Sequence, residues 1–156
     1  DAGCSLDETE QWLLANRQHV HHQFFSTDLQ YFRRSGRVSG PAATIGTILG
    51  ICPLMRLDDR GRIIAYSKVR GKKNAVAATV QAMEEHAAGG AGYAGKCWVC
   101  HSNALAEAEE TRDAIRAHFP NLQGEVRICD IGTIIASHCG PGTVAAFFFG
   151  DERAPE

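Results

Sequence analysis

No stretch of this chain approaches the ~18 consecutive apolar residues that a membrane-spanning helix needs. The longest candidate, residues 42–54, is broken by Gly46, Gly50 and Pro53, so at most peripheral membrane contact is expected. Charge of one sign is also missing. The formal net charge is −2, which leaves no nucleic-acid footprint across the surface as a whole. There is no internal repeat, which removes solenoid and propeller architectures. A second Cys-x-x-Cys is absent, so a four-thiolate zinc site has no ligand set. No nucleophile and base stand at an informative spacing. The first residue is Asp1, with neither an initiator methionine nor a signal peptide. The expectation is therefore a piece of a longer or processed protein.

What is present suits one compact domain: 156 residues, 44 % of them hydrophobic and 22 % charged. Such a chain buries a sizeable core without a disulfide framework. Of the six cysteines, Cys52, Cys97, Cys100 and Cys129 lie in or beside apolar segments, where a free thiol behaves as a small hydrophobe. Reduced thiols and a cytoplasmic location are expected.

The patterning alternates between helix and strand. Ser5-Leu6-Asp7-Glu8 forms a capping box, and the heptad spacing of Leu6, Leu13 and Val20 predicts a helix over 6–22. A short strand over 24–27 follows, then a brief helix capped by Asp28 and stopped by Gly36. Pro41 suits the first turn of a helix over 41–49. Apolar runs over 51–57 and 62–69 flank Asp58-Asp59-Arg60-Gly61, a hairpin signal. A helix over 73–87 places Val76, Val80, Met83 and Ala87 on one face. Residues 96–101 read as a strand, and Asn103 caps a helix to His118 with Leu105, Ala108, Ile115 and Phe119 inward. A strand over 125–131, a short helix over 132–137 and a strand over 143–149 complete the chain, with a frayed tail from Asp151. The class is α/β, a mixed sheet with flanking helices.

Several motifs invite chemistry. Cys97-Trp98-Val99-Cys100-His101 has the haem-attachment pattern. Its place in an apolar strand sends Cys97 and Val99 to one face and Trp98 and Cys100 to the other. A redox or metal-binding protein using Cys97, Cys100 and His101 stands as the alternative reading. His19-Val20-His21-His22 places His19 and His22 three apart on a helix, a chelating spacing. Histidines at a helix C-terminus are more simply explained by the dipole and solvent. Lys68-Val69-Arg70-Gly71-Lys72-Lys73 holds no acid and puts cations at a helix start, which points to an acidic or phosphate-bearing partner. Near the C-terminus, His138-Cys139-Gly140-Pro141-Gly142 sets a titratable donor at a side-chain-free bend, a way to hold a carboxylate.

Four segments in order then carry a family likeness. They are Leu29-Gln30-Tyr31-Phe32-Arg33-Arg34-Ser35-Gly36-Arg37-Val38-Ser39-Gly40, the stretch 42–50 leading into Ile51-Cys52-Pro53-Leu54, Lys68-Val69-Arg70-Gly71-Lys72-Lys73-Asn74-Ala75, and Ile131-Gly132 through Thr143. Together they resemble the DegV family of bacterial fatty-acid-binding proteins. The resemblance implies a two-domain protein that buries a long acyl chain between its domains and presents the carboxylate to a fatty acid kinase subunit, which makes the acyl phosphate. On that likeness residues 28–150 correspond to the C-terminal domain, residues 1–27 are a lead-in helix and strand, and 151–156 are a tail. The N-terminal domain, which supplies hydroxyls to the carboxylate, is missing.

The likeness also implies roles. His138 lies at the carboxylate end, Gly140 and Gly142 shape the pocket, and Arg37 lies at its mouth. Ala43, Ile45, Ile48 and Leu49 touch the acyl chain. Arg70, Lys72 and Lys73 face the kinase. The long-chain fatty acid is the ligand. No metal, other cofactor, nucleic-acid partner or catalysis by this chain is implied. Cys139 stands where the family pattern usually has threonine, which removes a hydroxyl donor.

Overall fold

The computed structural model of the chain describes residues 3–37 and 50–155. The helix expected over 41–49 lies outside them. Helix α1 is Leu6–Asn16. Ser5 Oγ accepts from the Glu8 amide, and the Glu8 carboxylate accepts from the Ser5 amide at 2.7 Å. The expected continuation of this helix to residue 22 does not form. A 3₁₀ turn at Arg17–His19 leads into strand β1, Val20–Ser26. Long-range pairing overrides the heptad spacing here, because β1 pairs with β6 over its full seven residues, from Val20 against Phe149 to Ser26 against Thr143.

The remaining elements are α2 (Gln30–Arg34), β2 (Ile51–Leu57), β3 (Ile63–Arg70), α3 (Lys72–His86), β4 (Trp98–Ser102), α4 (Leu105–His118), β5 (Arg127–Asp130), α5 (Thr133–Cys139) and β6 (Thr143–Phe149). The strands form one mixed sheet in the order β3-β2-β1-β6-β4-β5. Among the described residues only β4 and β5 run parallel, and α4 makes the crossover between them. The segment read as a lead-in therefore contributes an interior strand of this sheet.

Strand alternation separates two cores. Phe25, Leu54, Val99, Val144, Ala146 and Phe148 face α3 and α4, meeting Val76, Val80, Met83, Ala108 and Ile115. Phe24, Met55 and Ala145 face the other way, toward Leu29, Phe32 of α2 and Cys139 of α5. The hairpin forms as expected. The Asp58 carboxylate organises its turn by accepting from the Arg60 and Arg62 amides at 2.9 and 2.7 Å and from Arg62 Nε at 2.8 Å. One feature carries no sequence signal. Met55 pairs with Ala65 but Leu54 pairs with Ser67, which leaves Tyr66 bulged. The extra residue flips the strand, so Ala65 joins the second core and Val69 the first.

Four further expectations are corrected. Asn103 does not cap α4: it adopts φ +46°, the cap position is Ala104, and the Ala104 amide donates to His101 Nδ1. Leu105 is 53 % exposed while Ala108, Ile115 and Phe119 are buried. The tail is not frayed. The Asp151 amide donates to the His86 carbonyl at 2.9 Å, and the Arg153 guanidinium donates to Gln18 Oε1 at 2.9 Å and to the Val20 carbonyl at 3.3 Å. Nor do the histidines cap a helix. His21 is buried and His22 half-buried, on opposite faces of β1, where they stack on Phe148 and meet the edge of Phe147.

Two predictions follow from this packing. Ile115→Ala should cost about 2–5 kcal/mol, while Leu105→Ala should stay within about 0.5 kcal/mol; urea unfolding curves compare them. His22 accounts for a pH dependence. Burial, and the neighbouring Arg153 guanidinium, push its imidazole down to about 4. The unfolded chain binds that proton near the ordinary value of ~6.5. Stability is therefore full above ~6.5 and declines as pH falls from there toward 4. Urea midpoints between neutral and acid pH should show this decline, and His22→Gln should make it shallower. An equal decline in the variant would assign the effect to His21, which burial also lowers.

Candidate functional site

One end of the sheet gathers the residues singled out by their motifs. The register places the end of β1 at Ser26, the start of β2 at Ile51, the end of β3 at Arg70, the end of β4 at Ser102 and the start of β6 at Thr143 on that same end. The segments there are residues 27–37 with α2, Gly71 with the first turn of α3, and the loop 140–142.

Arg37 and His138 meet across this end. The Arg37 guanidinium lies 3.4 Å from His138 Nε2. A guanidinium only donates, so Nε2 is the acceptor of this pair. The loop geometry that brings them together is local. The Arg37 amide donates to the Phe32 carbonyl at 2.9 Å, and the Arg37 side chain turns back to the Ser35 carbonyl at 2.5 Å. Ser35 Oγ in turn donates to the His138 carbonyl at 3.2 Å, tying α2 to α5. Arg37 is exposed and His138 half-buried. The guanidinium is thus a solvent-exposed donor beside a half-buried imidazole, with further N–H groups of Arg37 open to an acceptor.

The glycines belong to the same assembly. Gly140 has φ +72° and ψ 176°, a conformation that side chains other than glycine essentially do not adopt. A Cβ there would collide with the Tyr31 ring, and one at Gly142 (φ +83°) would collide with Thr27 Oγ1. The Gly142 amide donates to the Ser102 carbonyl at 2.8 Å, and the Thr27 amide to the Gly142 carbonyl at 3.2 Å. Tyr31, Thr27 and Ser35 were not singled out in the sequence, although Tyr31 and Ser35 lie within the quoted motif. Cys139 is buried in the second core and its thiol is pushed up by burial. At this position the side chain points inward among Phe24, Leu29 and Phe32.

The basic cluster divides. Lys72 is paired with Glu107, which holds the ammonium above and the carboxylate below their ordinary values. Arg70 and Lys73 are more open, beside a recess shared with Asn74 and Glu110. Ala43, Ile45, Ile48 and Leu49 lie outside the described residues. Cys97, Cys100 and His101 do not converge. Cys97 is buried with Val99, its thiol pushed up by burial to about 12, while Cys100 lies on the other side of β4.

Fold and site together define a mixed α/β domain with an exposed guanidinium and a half-buried imidazole side by side at one end of the sheet. Among solved structures, it matches a DegV family protein from Eubacterium eligens loaded with heptadecanoic acid (TM-score 0.84, 20 % identity, 96 % of this chain and 52 % of that one). It also matches the Streptococcus pneumoniae Fatty Acid Kinase (Fak) B3 protein loaded with linoleic acid (TM-score 0.83, 21 % identity, 97 % and 52 %). A fatty-acid-binding DegV family protein from Thermus thermophilus is 26 % identical (TM-score 0.76, 96 % and 52 %). The model of the DegV family of uncharacterised proteins matches residues 1–151, and a DegV domain-containing protein of Clostridium perfringens is 32 % identical over 153 residues. The chain belongs to the DegV family. It spans about half the length of the curated relatives it matches: 98 % of this chain against 51 % of the Clostridium protein.

Gly140→Ala should lose about 1–3 kcal/mol from backbone strain alone, plus the displacement of Tyr31. Gly132→Ala should be nearly neutral, since φ there is −56° and a Cβ meets nothing within 4 Å. Thermal unfolding of the two variants measures the contrast.

Proposed function

We propose that this chain is one part of a fatty-acid-binding protein. With a preceding N-terminal domain it encloses a long acyl chain and presents the carboxylate to a separate kinase, which transfers a phosphoryl group from ATP to make the acyl phosphate. The observation that carries this reading is the 3.4 Å approach of Arg37 to His138 beside a glycine bend. A buried carboxylate must be paired, because an unpaired charge in an apolar site is costly. Arg37 supplies that pairing, and His138 joins it when the carboxylate takes the guanidinium and the imidazole carries its proton on Nε2.

The apolar partner is the second core. Leu57, Ile63, Ala65, Ile131 and Phe147 are only partly buried against it, and Ile134 and Ile135 of α5 are 75 % and 59 % exposed. Burying acyl carbon on such a surface gains ~0.8 kcal/mol per CH₂. Ala43, Ile45, Ile48 and Leu49 complete the acyl contact in this reading. Fatty acids held by relatives of the same fold support it. Arg70, Lys72 and Lys73 lie at the same end of the sheet as His138, a suitable place for an ATP-binding partner to dock. The role places the protein in the cytoplasm, in phospholipid metabolism, with catalysis in the kinase and no cofactor beyond the bound acid.

Mass spectrometry of an organic extract of the full-length protein tests the proposal. Long-chain fatty acid should be present at about one per protein. Arg37→Ala and His138→Ala should lower retention about 10-fold or more, as expected for lost hydrogen bonds to a charged group. Arg70→Glu with Lys73→Glu should weaken acyl phosphate formation by the kinase and leave fatty-acid retention intact. An extract without fatty acid, with none taken up on incubation, would overturn the reading.

A further inference from the structure

The histidine run at residues 19–22 has no part in the site above, and the strand redistributes it. His19 Nδ1 lies 3.0 Å from the Gly150 carbonyl, and His22 turns to Arg153 on the other side of β1. His21 instead points toward the C-terminal end of α3, where His86 is the last helical residue. Asp151 completes a triangle with them. His21 Nε2 is 2.7 Å from Asp151 Oδ1, and His86 Nδ1 is 3.2 Å from Oδ2. One ligand atom from each residue lies within 4.8 Å of the other two.

The three are held by independent constraints. The His21 ring lies between two others, Phe148 at 5.2 Å and His86 at 5.0 Å between centroids. Asp151 is pinned through its amide to the His86 carbonyl at 2.9 Å, and Gly150 through its amide to the His19 carbonyl at 2.8 Å. Gly150 is necessary to this approach, because a Cβ there would overlap the His86 carbonyl oxygen and come within 3.1 Å of His21 Cδ2. The tail is thus brought against two imidazoles by a position that accepts no side chain.

We propose that His21, His86 and Asp151 form a binding site for a divalent transition-metal ion of the zinc class. Two imidazoles and one carboxylate are a zinc donor set, and three protein ligands leave a fourth position for water. Imidazole ligation favours such an ion over magnesium or calcium. Ligands at 2.0–2.2 Å around a tetrahedral ion are about 3.3 Å apart. The two contacts use different Asp151 oxygens, Oδ1 toward His21 and Oδ2 toward His86, so the carboxylate must turn to offer one oxygen to the ion and the His21 contact must open by roughly 0.6 Å. Asp151, 56 % exposed at its side chain, can make that adjustment. On binding, the ion takes the place of the hydrogen that His21 Nε2 shares with Asp151, and the ring keeps its other nitrogen protonated. The ion then ties β1, the end of α3 and the tail together. This site lies at the opposite end of the sheet from Arg37 and His138, and its existence is independent of the lipid reading.

The test uses the full chain, freed of metal by a chelator and titrated with ZnCl₂ against a chromophoric competitor, with Co²⁺ as a spectroscopic probe. One zinc per chain, a raised unfolding temperature with zinc, and a Co²⁺ spectrum without a thiolate charge-transfer band are expected. His86→Ala and Asp151→Asn, both at solvent-accessible side chains, should each weaken zinc at least ~10-fold, and His19→Ala should leave it unchanged. No stoichiometric zinc in the unsubstituted chain would overturn the proposal, leaving the cluster as a hydrogen-bonded latch for the tail. So would a thiolate band, or unchanged affinity in His86→Ala and Asp151→Asn together.

Discussion

The β1–β6 ladder sets the position of nearly everything else in the molecule. Seven residues of each strand pair without interruption, and each strand divides its side chains between two cores. Phe24 and Ala145 serve one core; Phe25, Val144 and Ala146 serve the other. A slip of one residue would send Phe25 toward α2 and Phe24 toward α3, exchanging surfaces that differ in shape and partner. The same register fixes both ends. At one end the ladder closes with Ser26 and Thr143, whose hydroxyls lie 3.1 Å apart beneath the His138 loop. At the other it closes with Val20 against Phe149, which delivers Gly150 and Asp151 to His86.

The strength of local signals explains which elements were legible in the sequence. The 58–61 hairpin, α3 and β6 each sit beside a glycine-containing turn and carry a helical period or an unbroken apolar run, and each appears close to its expected bounds. Strand β1 was half hidden because Leu6, Leu13 and Val20 fit a helix, and His21 and His22 carry no strand signal. Leu6 and Leu13 are exposed in the structure, at 84 % and 54 %. Helix α1 therefore rests on its capping box rather than on burial, and the heptad spacing had no partner to extend it. The bulge at Tyr66 was invisible for a different reason. It is imposed by pairing with β2 and by the need to switch cores midway along β3, and nothing in the local sequence demands it.

The site was legible only as separate pieces. Arg37 and His138 are far apart in the chain, and no periodicity relates them. The family resemblance set both near a carboxylate but did not predict their contact. The residues that hold them together were not legible, because Ser35, Tyr31 and Thr27 act through contacts made only once α2 and α5 pack on the same face. The basic cluster illustrates the opposite error of reading six adjacent residues as one feature. Lys72 is committed to Glu107 on α4, so the open positive charge lies with Arg70 and Lys73.

Both ends of the ladder depend on glycine, with opposite physical results. Gly140 and Gly142 remove side chains where Tyr31 and Thr27 approach, which keeps the loop tight while His138 stays reachable beside Arg37. Gly150 removes a side chain where the backbone itself approaches, which draws the tail in and encloses His21. At the first end Arg37 is exposed and His138 half-buried, and the contact between their side chains is long at 3.4 Å. At the second end the contacts are short and one imidazole is buried, so the arrangement resists opening. An end with exposed polar side chains and an end with a buried imidazole thus share one pair of strands, and the single β1–β6 register positions both.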